Sequence, residues 1–243
     1  MDTVPRVVVV AGGAGNIGEG IVRSALRSGA TVVVPSRSLA RMEALKRHVA
    51  DAGVDGSALH TVRADVGSFE GARQFVATTS ADVGPIDLSV AALGGYWSGP
   101  PLLDTSESDY RTVMSDNLDA HYAFARHVLP TMRENHGVHV LIGGPGNLLP
   151  NPASTLITIA GHAQLAMTRL LDTEASEIGA RTYLLFVSHI FDRQRSAGTH
   201  GVTPRSAVVT PDQIGERVLE LYREHPEATV HKLFARPVAG FPL

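Results

Sequence analysis

The chain has 243 residues, 44% of them hydrophobic, with 21 basic and 24 acidic side chains and no cysteine. That length suits one large α/β domain with a single core, and the near-balanced charge gives no electrostatic footing for nucleic acid or an anionic membrane surface. Without cysteine, disulfides, thiolate nucleophiles and Cys-ligated zinc are excluded together.

Val7–Ala11 is a continuous apolar run, as expected of a strand buried on both faces of a parallel sheet. It is too short for a signal-peptide core, and no stretch approaches the ~20 apolar residues of a membrane helix, so a cytoplasmic enzyme or binding domain is expected. After a glycine-rich turn, Ile17, Ile21, Val22, Ala25 and Leu26 are spaced for one face of a helix ending near Gly29. Thr31–Val34 reads as strand two and Leu39–Ala50 as helix two. Leu59–Arg63, Phe69–Val83 and Ile86–Leu93 follow as strand, helix and strand. A long helix is predicted from about Glu107 to His136, strand five at Val138–Ile142, a further helix over Ser154–Ile178 and strand six at Thr182–Ser188. Arg193–Pro204 is polar, rich in Gly and Ser, and reads as a mobile stretch. Pro211–Glu224 reads as the last helix, and Thr229–Phe234 closes the sheet.

Strands separated by helices call for right-handed crossovers and a doubly wound parallel α/β sheet of about seven strands. Between the first strand and first helix, Gly13-Ala14-Gly15-Asn16-Ile17-Gly18 fits Gly-x-Gly-x-x-Gly, with Gly12 before it. Glycines there allow a tight turn and let backbone N–H groups approach a pyrophosphate at the positive end of the helix. The expectation is a single Rossmann-fold domain over residues 1–243 that binds a dinucleotide. At the end of strand two, where NAD-selective sites carry an acid, the chain has Pro35-Ser36-Arg37-Ser38. An arginine can grip a 2′-phosphate with two hydrogen bonds, so Arg37 favours NADP(H), with NAD(H) as the alternative.

Gly12–Gly18, Asp65-Val66, Asn117 and the helix ending Thr168-Arg169-Leu170-Leu171-x-x-Glu174 occur in an order that resembles the short-chain dehydrogenase/reductase family along the whole chain. The resemblance implies that Asp65 and Val66 border the adenine. It also puts Ala91-Ala92-Leu93-Gly94 in place of the family's Asn-Asn-Ala-Gly, which assigns Leu93 and Gly94 to the cofactor site. Family members combine a serine after strand five, a Tyr-x-x-x-Lys on the following helix and an asparagine on the preceding one. The tyrosine exchanges the proton, the lysine lowers its pKa and holds the ribose, and the asparagine anchors a water relay. Only Asn117 survives of the four. Gly144 stands at the serine position, Ile157 at the tyrosine and Gly161 at the lysine; a one-residue shift offers Thr158 and His162. The lysines are Lys46 and Lys232, and neither follows a tyrosine by four residues, so the usual relay is absent whatever the alignment.

Asn117 and His162 are therefore the catalytic candidates, His162 because an imidazole titrates near neutrality and Thr158 precedes it by one helical turn. His189 is a further imidazole at the end of strand six, and Tyr96-Trp97 a candidate substrate wall. His136-x-x-His139 lacks the carboxylate partner of a metal site. The resemblance also implies a homodimer or homotetramer built on helices five and six, with a small molecule as ligand. Three readings remain open: a redox enzyme with a rebuilt proton donor, a non-redox cyclase, dehydratase or isomerase in the same pocket, or an inactive partner subunit.

Overall fold

The computed structural model describes residues 4–133, 136–188, 190 and 208–235. Seven parallel strands form one sheet: β1 (Val7–Ala11), β2 (Thr31–Ser36), β3 (Leu59–Arg63), β4 (Leu88–Ala91), β5 (Val138–Gly143), β6 (Arg181–Ser188) and β7 (Val230–Phe234). Their order is β3-β2-β1-β4-β5-β6-β7, so the sheet reverses its direction of growth between β1 and β4. At such a switch point the connections leave to opposite faces and open a crevice at the carboxyl ends of the strands.

The alternation of side chains along β1 explains the two-sided core. Val8 and Val10 pack with α1 (Asn16–Arg27), α2 (Leu39–Asp51) and α7 (Pro211–Glu224) through Ile21, Leu45, Ile214 and Val218. Val7, Val9 and Ala11 pack with α3 (Phe69–Asp82), α5 (Ala120–Val128) and α6 (Thr155–Glu177) through Phe75, Phe124 and Leu165. At about 25 cal/mol per Å² of apolar surface, a strand that is apolar on both sides is stable only when both layers of helices are present.

Three elements depart from the sequence expectation by more than one residue at a boundary. Strand β2 continues through Pro35 to Ser36, because β1 pairs with it only as far as Val33. Beyond that point β2 bonds β3 alone, and a proline without an N–H is tolerated on the open side. Strand β4 is shorter than expected: it begins after Asp87, whose carboxylate accepts from the Arg6 and Val7 N–H groups, and ends before the Leu93–Gly95 turn. The long helix is broken into α4 (Glu107–Met114), a π turn over Ser115–Asp119, α5, and a 3₁₀ turn at Leu129–Met132. Pro130 cannot donate to an α-helical carbonyl, which accounts for the tight end, and Asn117 sits inside the π turn. Among the described residues no helix is long and apolar enough to cross a membrane.

Candidate functional site

Two clefts open side by side at the carboxyl ends of the strands. The outer one, about 490 Å³, is bounded by the glycine turn, by Pro35–Arg37 and Arg41, by Ala64–Ser68, and by Ser115 and Asp116. The inner one, about 260 Å³, lies over β5 and α6. Ala92, Leu93, Gly94 and Gly95 border both, so the two form one trough.

In the glycine turn the residues divide by role. Gly12 and Gly15 face the outer cleft with Ala14, and Ile17 faces the inner one. Gly12 has φ +80°, and a Cβ there would drive into the Ala92 carbonyl, so only glycine fits. Gly13 and Gly18 instead bring the turn against Val34 and against Gly12. Asn16 opens α1 and lines neither cleft. Gly15 caps α1 with extended backbone and no side chain over the first N–H groups, which leaves the positive helix end facing the cleft.

Arg37 lines the outer cleft as expected, and Arg41, in the first turn of α2, lines it too. Arg37 lies in the loop before the N-cap Ser38, whereas Arg41 reaches the cleft from the helix itself, so its place was not readable from spacing alone. Asp65 and Val66 form the opposite wall, and the Asp65 carboxylate accepts from the Gly67 N–H at 3.1 Å, which shapes the turn before α3. Behind Leu93, His121 is fully buried and its Nε2 meets the Leu93 carbonyl at 3.3 Å. Burial pushes its pKa down to about 4, with the Leu93 contact opposing. That leaves a neutral imidazole bracing the wall between the clefts.

The floor of the inner cleft is a set of amides that the sequence did not single out. Asn147 is 4% exposed and Gln164 6%. Asn147 Oδ1 accepts from the Gly144 N–H at 2.9 Å, while its Nδ2 donates to the Gly161 carbonyl at 3.0 Å and to Gln164 Oε1 at 2.9 Å. Gln164 Nε2 donates in turn to the Asn117 carbonyl within the π turn. Asn117 Nδ2 donates to the Val113 carbonyl, and its Oδ1 accepts from the Gly95 N–H, both at 3.1 Å. These partners fix the orientation of every amide, and no member of the set changes protonation near neutrality. A periodic signal did mark Gln164: Leu156, Ala160, Gln164 and Thr168 recur every four residues on the buried face of α6.

The structure places Gly144, Ile157 and Gly161 around this cleft, where the family resemblance located the missing serine, tyrosine and lysine. A Cβ on Gly161 would lie 2.9 Å from Asn147 Cα. The turn Pro145–Asn147 thus occupies the space through which a lysine would leave the helix. His162 does not join the site. It is exposed on the outer face of α6, lines neither cleft, and its Nδ1 meets the Thr158 carbonyl at 2.8 Å. The Thr158 hydroxyl accepts from the Asn151 N–H, so no hydroxyl–imidazole pair forms. His139 is buried against Ser89 at 2.7 Å, far below the cleft mouth. Among the described residues no three potential ligands gather to hold a metal. His189 and Arg193–Pro204 lie outside the described residues.

A switch-point crevice of this kind is common to many nucleotide-binding sheets, but the sequence match is specific. Residues 6–184 match the short chain dehydrogenase family model. The chain belongs to that family. Among similar proteins, the farnesol dehydrogenase of Aedes aegypti is 25% identical over 238 residues, covering 96% of both chains. The L-fucose dehydrogenase of Bos taurus is 30% identical over 192 residues, spanning 76% of this chain and 66% of that protein, just under two thirds of its length. The fold is shared with a metagenomic short-chain oxidoreductase solved in complex with NADP, at TM-score 0.76 and 21% identity, covering 96% of this chain and 97% of that one.

Proposed function

We propose that this short-chain dehydrogenase binds NADP(H) along the trough and acts as an oxidoreductase without the Tyr-x-x-x-Lys relay. The carrying observation is the pair Arg37 and Arg41 at one end of a continuous cleft whose middle is the glycine turn. The residues fit the cofactor. The Gly12 and Gly15 backbone leaves room beside the N-terminus of α1 for a pyrophosphate, and two guanidinium groups suit a 2′-phosphate. Asp65 and Val66 would border the adenine, Leu93 and Gly94 the middle of the cofactor, and the inner cleft the nicotinamide. A bound nicotinamide supplies a hydride or accepts one; the amide floor supplies fixed dipoles and a dry wall. Binding of NADP by the metagenomic relative supports the same occupant here.

Fluorescence titration with NADPH and NADH tests this reading. NADPH should bind the more tightly, and Arg37→Ala and Arg41→Ala should each weaken it by about tenfold, the worth of one exposed charge-assisted hydrogen bond, while NADH is unaffected. Equal affinity for the two nucleotides in the wild type would sink it. The closed amide floor also favours two alternatives, a non-redox cyclase, dehydratase or isomerase using the same pocket with or without nucleotide, or an inactive partner subunit. A homodimer or homotetramer through α5 and α6 accompanies each reading, since Tyr122 and Leu170 on those helices are exposed. Light scattering in solution would test it, and a monomer at micromolar concentration would refute it.

A further inference from the structure

We infer that Tyr96, activated by Ser154, is the proton-exchanging residue of this cleft, an inference that rests on the redox reading above. Tyr96 is the one titratable side chain among the described residues that line the inner cleft. It comes from the turn after β4, not from α6, and that turn is held in place by the Gly95 N–H donating to Asn117 Oδ1. The phenol oxygen accepts a hydrogen bond from Ser154 Oγ at 2.9 Å.

The direction of that bond follows from its neighbours. Asn151 Oδ1 accepts from the Ala153 N–H at 3.0 Å, which turns Asn151 Nδ2 toward Ser154 Oγ, 3.4 Å away. With the amide donating to its oxygen, the serine directs its own proton to Tyr96. Ser154 is the N-cap of α6 and 2% exposed, yet its side chain makes no bond to the first turn of its helix. A serine at that position ordinarily accepts from an N–H of the first turn. Here the hydroxyl serves the phenol instead. The hydrogen bond thus ends on the phenol oxygen, the atom on which charge gathers as its proton leaves.

The step balances as carbonyl reduction. A bound nicotinamide would supply the electron pair, as hydride to the carbonyl carbon, and the protein supplies the proton. The Tyr96 O–H bond breaks as an O–H bond forms on the substrate oxygen. Ser154 holds the resulting phenolate until water, which reaches the exposed ring, returns a proton. Asn117 is a positioning residue in this scheme.

Two measurements on the full chain test the inference. The first needs no nucleotide: nitration by tetranitromethane, which attacks phenolates, is followed at Tyr96 with exposed Tyr110 as the reference in the same molecule. The Tyr96-to-Tyr110 rate ratio should fall by about three- to tenfold in Ser154→Ala, the worth of one hydrogen bond, and stay near wild type in Ser154→Thr, which keeps a hydroxyl. An unchanged ratio in the alanine variant, or an equal fall in both, overturns the activation. The second follows NADPH oxidation with 2,3-butanedione, 4-nitrobenzaldehyde and cyclohexanone. Tyr96→Phe should lose about 10²–10⁴ in turnover with an unchanged Kd for NADPH. Turnover at wild-type speed in that variant overturns the assignment, as does a wild type that binds NADPH and reduces none of the three. A wild type with no affinity for NADPH removes the cofactor reading, a signal separate from the nitration ratio.

Discussion

Gly161→Ala is the sharpest probe of the amide floor, because two physical effects of opposite sign meet there. In an exposed helix interior the change from glycine to alanine stabilises by about 0.5–1 kcal/mol, through the entropy of the unfolded chain. At Gly161 the new Cβ would lie 2.9 Å from Asn147 Cα, 3.0 Å from its Cγ and 3.1 Å from its N. Two of those are backbone atoms of the turn Pro145–Asn147, so no side-chain rotation relieves the contact. Forcing a methyl group into a packed site costs about 1–3 kcal/mol. Withdrawal of Asn147 would strain three hydrogen bonds made by its amide, each worth about 1 kcal/mol net. Repulsion wins, with a net loss of about 2 kcal/mol and a fall in Tm of about 4–8 °C for a chain of this size. Calorimetry or urea unfolding measures it. A rise in Tm would refute the reasoning, because it would mean that the turn is loose and that a lysine could be accommodated. The companion is Gly144→Ser, whose Cβ would have only the Val187 carbonyl within 4 Å, at 3.8 Å; it should fold with Tm essentially unchanged.

Other consequences are directly measurable. His121 and His139 are fully buried, and burial lowers their pKa values to about 4 and about 3. Both stay neutral in the folded chain while their unfolded counterparts protonate near pH 6.5, so the stability they confer is complete above that pH and is lost as pH falls toward the folded values. Each contributes a slope of up to about 1.4 kcal/mol per pH unit between those limits; urea midpoints at pH 7, 6 and 5 should show it, and a His139→Leu slope equal to wild type would count against it. Gln164→Leu leaves the Asn117 carbonyl and one Asn147 N–H without their partners, and should cost about 2–4 kcal/mol in chemical denaturation; a neutral outcome would show that water replaces the amide.

The sheet was legible because its central strands are apolar on both faces and its strands are separated by helix-length segments; β1 and the more polar edge strand β3 both fall where the pattern placed them. Interruptions driven by single side chains were not. Asp87 sets the start of β4 through bonds to residues eighty positions away, and no local pattern announces such a bond. The outer cleft was readable from the glycine turn and Arg37, since both work through backbone geometry and charge close in sequence. The inner cleft was readable only as a set of losses. Its replacements, Asn147 and Gln164, are neutral amides whose meaning depends on which carbonyl lies opposite. His162 shows the limit most directly: one residue along a helix is a rotation of about 100°, enough to carry an imidazole from the lining to solvent.

Glycine at 161 and the closing of the floor go together. Glycine at 161 lets Asn147 approach the helix axis, and Asn147 then holds Gln164 against the Asn117 carbonyl that the π turn presents. The Asn117 side chain bonds to Val113 and to Gly95, so it organises the segment after β4 while its backbone oxygen is capped by Gln164. On the proposed redox reading a floor that cannot exchange protons needs a proton delivered from the rim, where Tyr96 follows the Gly95 that Asn117 holds. Asn117→Ala separates the two duties. It should lower turnover by displacing Tyr96 while Gln164 still caps the residue 117 carbonyl, so that activity falls by more than tenfold for a stability loss of about 1–2 kcal/mol. Activity that fell only in proportion to the unfolded fraction would show that the turn needs no such anchor.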